Sequence, residues 1–204
     1  MLINIEYNNY SIIIFNIFVY SHIINILLEA LISSKTRIKL LYKFFLNSNT
    51  IAYLRSLEEE FGESTNAIRL ELNKFENAGF LVSHNEGNKK LFKANSNHPL
   101  FKDINSIVMK LVGLDHVIDH VLKHVGDLER VYLVGKLSTG QDTDIIDLVL
   151  VGDINKTFLL DLVEKAEKKL NKKIRHVSYL SEEFEISKIT EGGIKPLLLW
   201  SKHK

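Results

Sequence analysis

Leu54-Arg-Ser-Leu-Glu-Glu-Glu-Phe-Gly62, Ser64-Thr-Asn-Ala-Ile-Arg-Leu-Glu-Leu-Asn-Lys-Phe-Glu-Asn-Ala-Gly-Phe80 and Leu81-Val-Ser-His-Asn-Glu-Gly-Asn-Lys-Lys-Leu-Phe-Lys-Ala-Asn95 run on almost without a gap, and their succession decides the fold of this part of the chain. The first segment reads as a short helix closed by Gly62, which turns the chain without steric penalty. Ser64 is placed to cap a second helix, in which Ile68, Leu72 and Phe75 make an inward stripe ended by Ala78 and Gly79. Beyond Gly79 the period changes. Phe80-Leu-Val82 and Lys90-Leu-Phe-Lys93 flank the polar turn His84-Asn-Glu-Gly-Asn88, a hairpin signal too short to fix its own register.

Working outward, Leu31 to Phe45 reads as an amphipathic helix capped by Ser33 or Ser34, with Ile38, Leu41, Tyr42 and Phe45 at helical spacing. Asn47-Ser-Asn-Thr50 ends it, and Thr50 is placed to cap a helix from Ile51 to Phe61. Asn95 to Pro99 makes a break. Phe101 to Val125 is expected to be helical with an interruption at Gly113. Its apolar stripe serves equally as shared core or as a dimer seam. After Gly126 the pattern is strand, loop, strand, helix, strand: Arg130–Val134, Ile146–Val151, Thr157–Leu170 and Lys173–Tyr179. Leu197 to Lys204 carries the only tryptophan, Trp200, expected to cap the core.

The 204 residues suffice for two small domains, and 46% apolar with 25% charged content is ordinary for a folded protein. A net charge of +1 does not advertise a polyanionic partner, although a local basic face matters more than the sum. With no cysteine the chain has no disulfide or thiol chemistry, which fits a cytoplasmic location. Between Glu6 and Glu29 no side chain is formally charged. By length and apolarity this stretch is compatible with a membrane helix. Asn8, Asn9, Asn16, Asn25, Ser21 and His22 dilute it, and it lacks the basic start and cleavage site of a secretory signal. An extra packed element or a dispensable extension is the favoured reading, and a membrane partner is not expected.

A helix that reads DNA buries one face and offers polar and basic side chains from the other. With Ile68, Leu72 and Phe75 inward, Thr65, Asn66, Arg69 and Asn73 fall mostly outward. Arg69 suits guanine, Asn66 or Asn73 adenine, and Thr65 a thymine methyl or a phosphate. Lys74 would reach only the backbone. Lys89 and Lys90 at the hairpin tip suit phosphates or the minor groove, and Lys35, Arg37 and Lys39 could add phosphate contacts. Against this stand Glu58, Glu59, Glu60, Glu63 and Glu71, which repel phosphate if they face it. Polar outer faces are also normal, and units of this kind serve protein contacts as well.

The segment Leu31 to Asn95 resembles the winged helix-turn-helix of the arsenic-repressor-like transcriptional regulators. The resemblance is carried by Ser34-Lys-Thr-Arg-Ile-Lys-Leu-Leu41, Phe61-Gly-Glu-Ser64 and Leu72-Asn-Lys-Phe-Glu-Asn-Ala-Gly-Phe-Leu-Val82. It implies a homodimer on a pseudo-palindrome of double-stranded DNA, with Thr65, Asn66, Arg69 and Asn73 as base readers. Metal-sensing members use Cys and His clusters. Here His116 and His120 sit four apart on an expected helix, and no metal site is expected.

Val131-Tyr-Leu-Val-Gly-Lys-Leu-Ser-Thr-Gly140 with Asp142-Thr-Asp-Ile-Ile-Asp-Leu-Val-Leu-Val-Gly152 resembles the minimal nucleotidyltransferase-like domain, over about Asp115 to Glu185. Active members follow a strand with Gly-Ser, which cradles phosphate, and later place two carboxylates one residue apart to hold Mg²⁺. On a strand that spacing turns both to one side, as shared ions require. This chain departs at each chemical position. Lys136 replaces the serine, and Ile145 falls where the first carboxylate belongs. Asp144 and Asp147 lie three apart, and the later carboxylate falls near Arg175 or His176. The resemblance therefore implies a retained fold with a degenerate metal site at Asp144 and Asp147, and an anion-attracting pocket at Gly135, Lys136 and Arg175. Lys165, Lys168, Lys169, Lys172 and Lys173 read as a solvated helix face.

The expected fold class is α+β: an N-terminal winged helix-turn-helix plus a small α/β nucleotidyltransferase-like domain. The expected divisions are an apolar extension (1–28), the DNA-binding domain (29–98), a connecting or dimerising helix (99–125) and the second domain (126–204). The expected function is sequence-specific transcriptional regulation without catalysis or a cofactor, the second domain sensing a nucleotide or phosphorylated small molecule or holding the dimer. An active nucleotidyltransferase and a winged-helix protein-interaction module are the alternatives.

Overall fold

The structure is a computed structural model and describes residue 32 and residues 34–114, 125–190 and 195–202. The expectations for the apolar amino-terminal stretch and for His116 and His120 lie outside the described residues. The fold is mixed α+β, with a three-stranded and a four-stranded sheet among the described residues. Among them, too, no helix is long and apolar enough to cross a membrane.

Helix α1 spans Lys35–Leu41, and the Ser34 hydroxyl accepts from the Arg37 amide at 3.2 Å. The expected helix to Phe45 instead loosens into a wide π-turn, Tyr42–Leu46, which buries Phe44, Phe45 and Leu46 together with Lys43. Ile51–Tyr53 is a short strand, β1, not the start of a helix capped by Thr50. Its partners explain this, since Ala52 lies opposite Phe92 in a strand far ahead in sequence. Helix α2 then runs Leu54–Phe61 and stops at Gly62 in the left-handed region. Helix α3, Thr65–Asn77, opens on Ser64 as its sequence requires.

Strands β2 (Leu81–Glu86) and β3 (Lys89–Ala94) form the hairpin, leaving only Gly87 and Asn88 between them. The tip is thus tighter than the five-residue turn expected, because His84, Asn85 and Glu86 stay paired with β3. Sheet order is β1-β3-β2. Helix α4 covers Phe101–Val112 and ends at Gly113. Four rings, Phe45, Phe75, Phe80 and Phe101, knit these elements, with Phe45 stacked on Phe101 at 5.7 Å. Edge-to-face and offset ring pairs of this kind add to simple burial.

The second sheet comprises β4 (Gly126–Val134), β5 (Ile145–Ile154), β6 (Lys173–Tyr179) and β7 (Leu197–Ser201) in the order β6-β5-β4-β7. A one-turn helix, α5 (Gly135–Ser138), follows β4, and α6 (Lys156–Leu170) carries the chain from β5 to its parallel neighbour β6. The expected α/β layer is therefore a mixed sheet, since β4 is antiparallel to both its neighbours. Trp200 belongs to β7, opposite Val131, and packs against the core as expected. One face of the sheet shares a single core with the amino-terminal half, including Leu40, Phe44, Val112, Leu133, Leu150 and Leu159. On the other face Tyr132, Val149 and Val151 pack under Tyr179, Phe184 and Ile189.

The halves are tightly seated. Asn47 Nδ2 donates to the Ser138 carbonyl at 2.8 Å. Gly140, at φ +76°, lies so close to the π-turn that a Cβ there would sit 2.5 Å from Lys43 Cα.

Candidate nucleic-acid interface

The buried side of α3 carries Ile68, Leu72 and Phe75, as expected, and also Glu71. At 3.6 residues per turn, that arrangement leaves Asn66, Arg69 and Asn73 on the outer face, all exposed. None of these side chains has a hydrogen-bond or ionic partner among the described residues. Thr65 is different: its hydroxyl donates to Glu58 at 2.8 Å, tying the start of α3 to α2. Arg69 and Asn73 line a groove of about 610 Å³ between α3, the start of α2 and the hairpin, joined by Arg55, Asn88, Lys89 and Lys90. Nothing in the local sequence around Arg55 marks it for this groove. Only the seating of β1 against β3 brings the start of α2 to this groove.

The lysines divide into held and available groups. Lys90 donates to Glu76 at 2.7 Å and sits 5.1 Å above the Phe92 ring. Glu76 also accepts from Ser83, so it pins the hairpin to α3. The Lys90 hydrogen bond, aided by Ser83, holds the Glu76 carboxyl below its ordinary pKa. Lys74 donates to Glu71 at 2.9 Å. Lys89 is exposed and rests 4.5 Å above the Tyr53 ring, which leaves its ammonium open to solvent.

Of the acidic residues that would oppose a phosphate backbone, Glu60, Glu63 and Glu71 are paired with cations, whereas Glu58 lines the groove itself, bonded to Thr65. Glu71 takes a two-point hydrogen bond from Arg37, at 2.8 and 3.2 Å. Glu60 pairs with Lys43 at 2.6 Å and Glu63 with Lys39 at 2.7 Å. The same pairs withdraw Arg37 and Lys39 from the role of phosphate contacts, whereas Lys35 stays exposed. Glu59 remains exposed near Arg55. Local field follows from these pairings more than from the count of carboxylates.

In the second half, Gly135, Asp147 and Arg175 come together and Lys136 does not join them. Arg175 lies beside Asp147 across the parallel β5–β6 pair and donates to its carboxylate at 2.6 Å. This bond raises the Arg175 pKa further. The other Asp147 oxygen rests on Gly135, where a Cβ would sit 2.6 Å from it. Asp144 precedes β5 and is exposed, with its carbonyl accepting the Lys173 amide. Lys136 is exposed and lines a separate cleft against α1 and α2. Among the described residues no group of three or more His, Asp or Glu side chains is arranged to hold a metal ion.

Comparison of the chain with family models, with curated proteins and with solved structures finds no match.

Proposed function

We propose that this chain is a sequence-specific DNA-binding transcriptional regulator whose amino-terminal half works as a winged helix-turn-helix, α3 entering the major groove and the β2–β3 hairpin serving as the wing. The observation that carries the reading is the outer face of α3, where Asn66, Arg69 and Asn73 have no partner among the described residues. Arg69 and Asn73 line a groove that also holds Arg55 and Lys89, with Glu58 in its wall bonded to Thr65, and Asn66 is exposed on the same helix face, while Glu60, Glu63 and Glu71 are paired with cations. Arg69 has the fork geometry for guanine, and Asn66 and Asn73 have the paired donor and acceptor for adenine. Lys89 and Arg55 take phosphates. Lys74 and Lys90 reach phosphate only by giving up Glu71 and Glu76.

The sheet-bearing half, in this proposal, keeps a nucleotidyltransferase-like frame without the chemistry. Arg175 occupies the Asp147 carboxylate, Asp144 stands outside the strand and Ile145 supplies no ligand, so Asp144 and Asp147 lack the spacing and freedom to share a cation. Its remaining roles are ligand sensing and support of a homodimer.

Selection from random DNA duplexes by the purified chain tests the reading. It is expected to enrich a motif of two related half-sites. Arg69→Ala should cost about 1–3 kcal/mol on that motif and relax one base position. Lys89→Ala should weaken binding to all sequences alike and lower the salt slope by about 1. A folded protein that enriches nothing would end this proposal and favour a protein-binding helix face.

A further inference from the structure

The outermost line of α3 is not wholly polar. At 3.6 residues per turn, the buried side formed by Ile68, Glu71, Leu72 and Phe75 lies opposite Asn66, Leu70, Asn73 and Asn77. All four of these are exposed, and Leu70, at 53%, is among the most open large apolar side chains of the described residues. It belongs to neither apolar cluster. A single exposed leucine needs no explanation on an ordinary surface. This one stands between two asparagines that suit adenine, about 6 Å along the helix axis from Asn66 and about 4.5 Å from Asn73. Bases follow one another about 3.4 Å apart along a strand, so Leu70 falls one or two base steps from each asparagine.

Thr65, expected from sequence at a thymine methyl or a phosphate, is engaged elsewhere. It is partly buried on the groove side of α3, and its hydroxyl donates to Glu58. Leu70 faces outward more directly than either Thr65 or Arg69, by the same helical period.

Thymine presents two features in the major groove, an O4 acceptor and a 5-methyl group, and the methyl is met by apolar contact. Packing a leucine on that methyl removes apolar surface of both partners from water. A cytosine in the same place would bring an amino group whose water Leu70 displaces without supplying an acceptor. We propose that Leu70 is a specificity-determining residue of α3, packing on a thymine 5-methyl between the adenine contacts of Asn66 and Asn73. The inference rests on the DNA-binding reading and adds a base to it.

The motif that the full chain enriches is remade with each thymine replaced in turn by deoxyuridine, which removes the methyl and keeps the hydrogen-bonding edge. Affinity, followed by fluorescence anisotropy, should fall about fourfold at one thymine of each half-site. Leu70→Ala should bind the thymine form about fourfold or more weakly and lose the distinction between thymine and deoxyuridine at that position. Leu70 is exposed, so its variant is expected to keep the fold, which circular dichroism checks. A motif without thymine, equal affinity for every deoxyuridine form, or a thymine preference that survives in Leu70→Ala would each overturn the assignment while DNA binding stood. Failure to enrich any motif would instead remove the DNA-binding reading, and this inference with it.

Discussion

Glu71 is the residue at which stability and the outer face of α3 meet. It is buried on the inward side of the helix, yet it receives Arg37 at two points and Lys74 at one. The Arg37 hydrogen bond lowers its pKa from the ordinary 4.5, outweighing the opposing effect of burial. A depressed folded-state value means that the stabilisation is complete above the unfolded pKa and is lost as pH falls through the folded one. Glu71→Gln should therefore lower stability by about 1–2 kcal/mol at pH 7, a figure that allows for the exposure of Lys74. The gap between wild type and variant should narrow below pH 4.5. Urea unfolding from pH 7 to pH 3 measures this, and a gap that stays constant across the range would contradict it. The sequence showed Glu71 only as one acid among many. Its pairing depends on α1 crossing α3, and side-chain partners across such a crossing are not encoded in local spacing. Lys90 and Arg37, expected at phosphates, likewise have carboxylate partners that local spacing does not show.

At the scale of elements, local signals were legible wherever the chain supplies its own reason to start or stop. Ser64 caps α3, accepting from the Ala67 amide at 3.3 Å, and Gly62 ends α2 in the left-handed region. Ser64→Ala should cost about 1 kcal/mol and Ser64→Gly only a few tenths, read as shifts in the thermal midpoint. Equal loss in both would assign the effect to something other than the cap. Strand β5 was legible too, because its run of β-branched and aliphatic residues is what a strand covered on both faces needs. Strands β1 and β7 were not. Ile51-Ala-Tyr53 is too short to show a period, and its state is set by β3. Leu197–Ser201 pairs with a strand about 70 residues earlier, an effect of tertiary structure that overrides weak local preference. In the candidate interface, the face of α3 followed from periodicity, while the contribution of Arg55 required that tertiary seating.

Taken whole, the molecule does not divide its core where its sequence pattern changes. Leu40 and Phe44 belong to the same cluster as Leu133 and Leu150, and Gly113 at the end of α4 meets Leu170 at the end of α6. Continuity of this kind favours a single cooperative transition. Unfolding followed by Trp200, which reports β7, and by far-ultraviolet circular dichroism, which reports both halves, should give coincident midpoints. Two separated transitions would show that the halves fold independently. The seating of Gly140 on the backbone of Tyr42 and Lys43 carries this further. Main chain resting on main chain leaves no room for a compensating side-chain change, so neither half is a freely exchangeable module. Recombination that grafted this amino-terminal half onto another sheet would succeed only where that sheet supplied a left-handed glycine at the same contact. In their descent, the two halves are constrained to travel together.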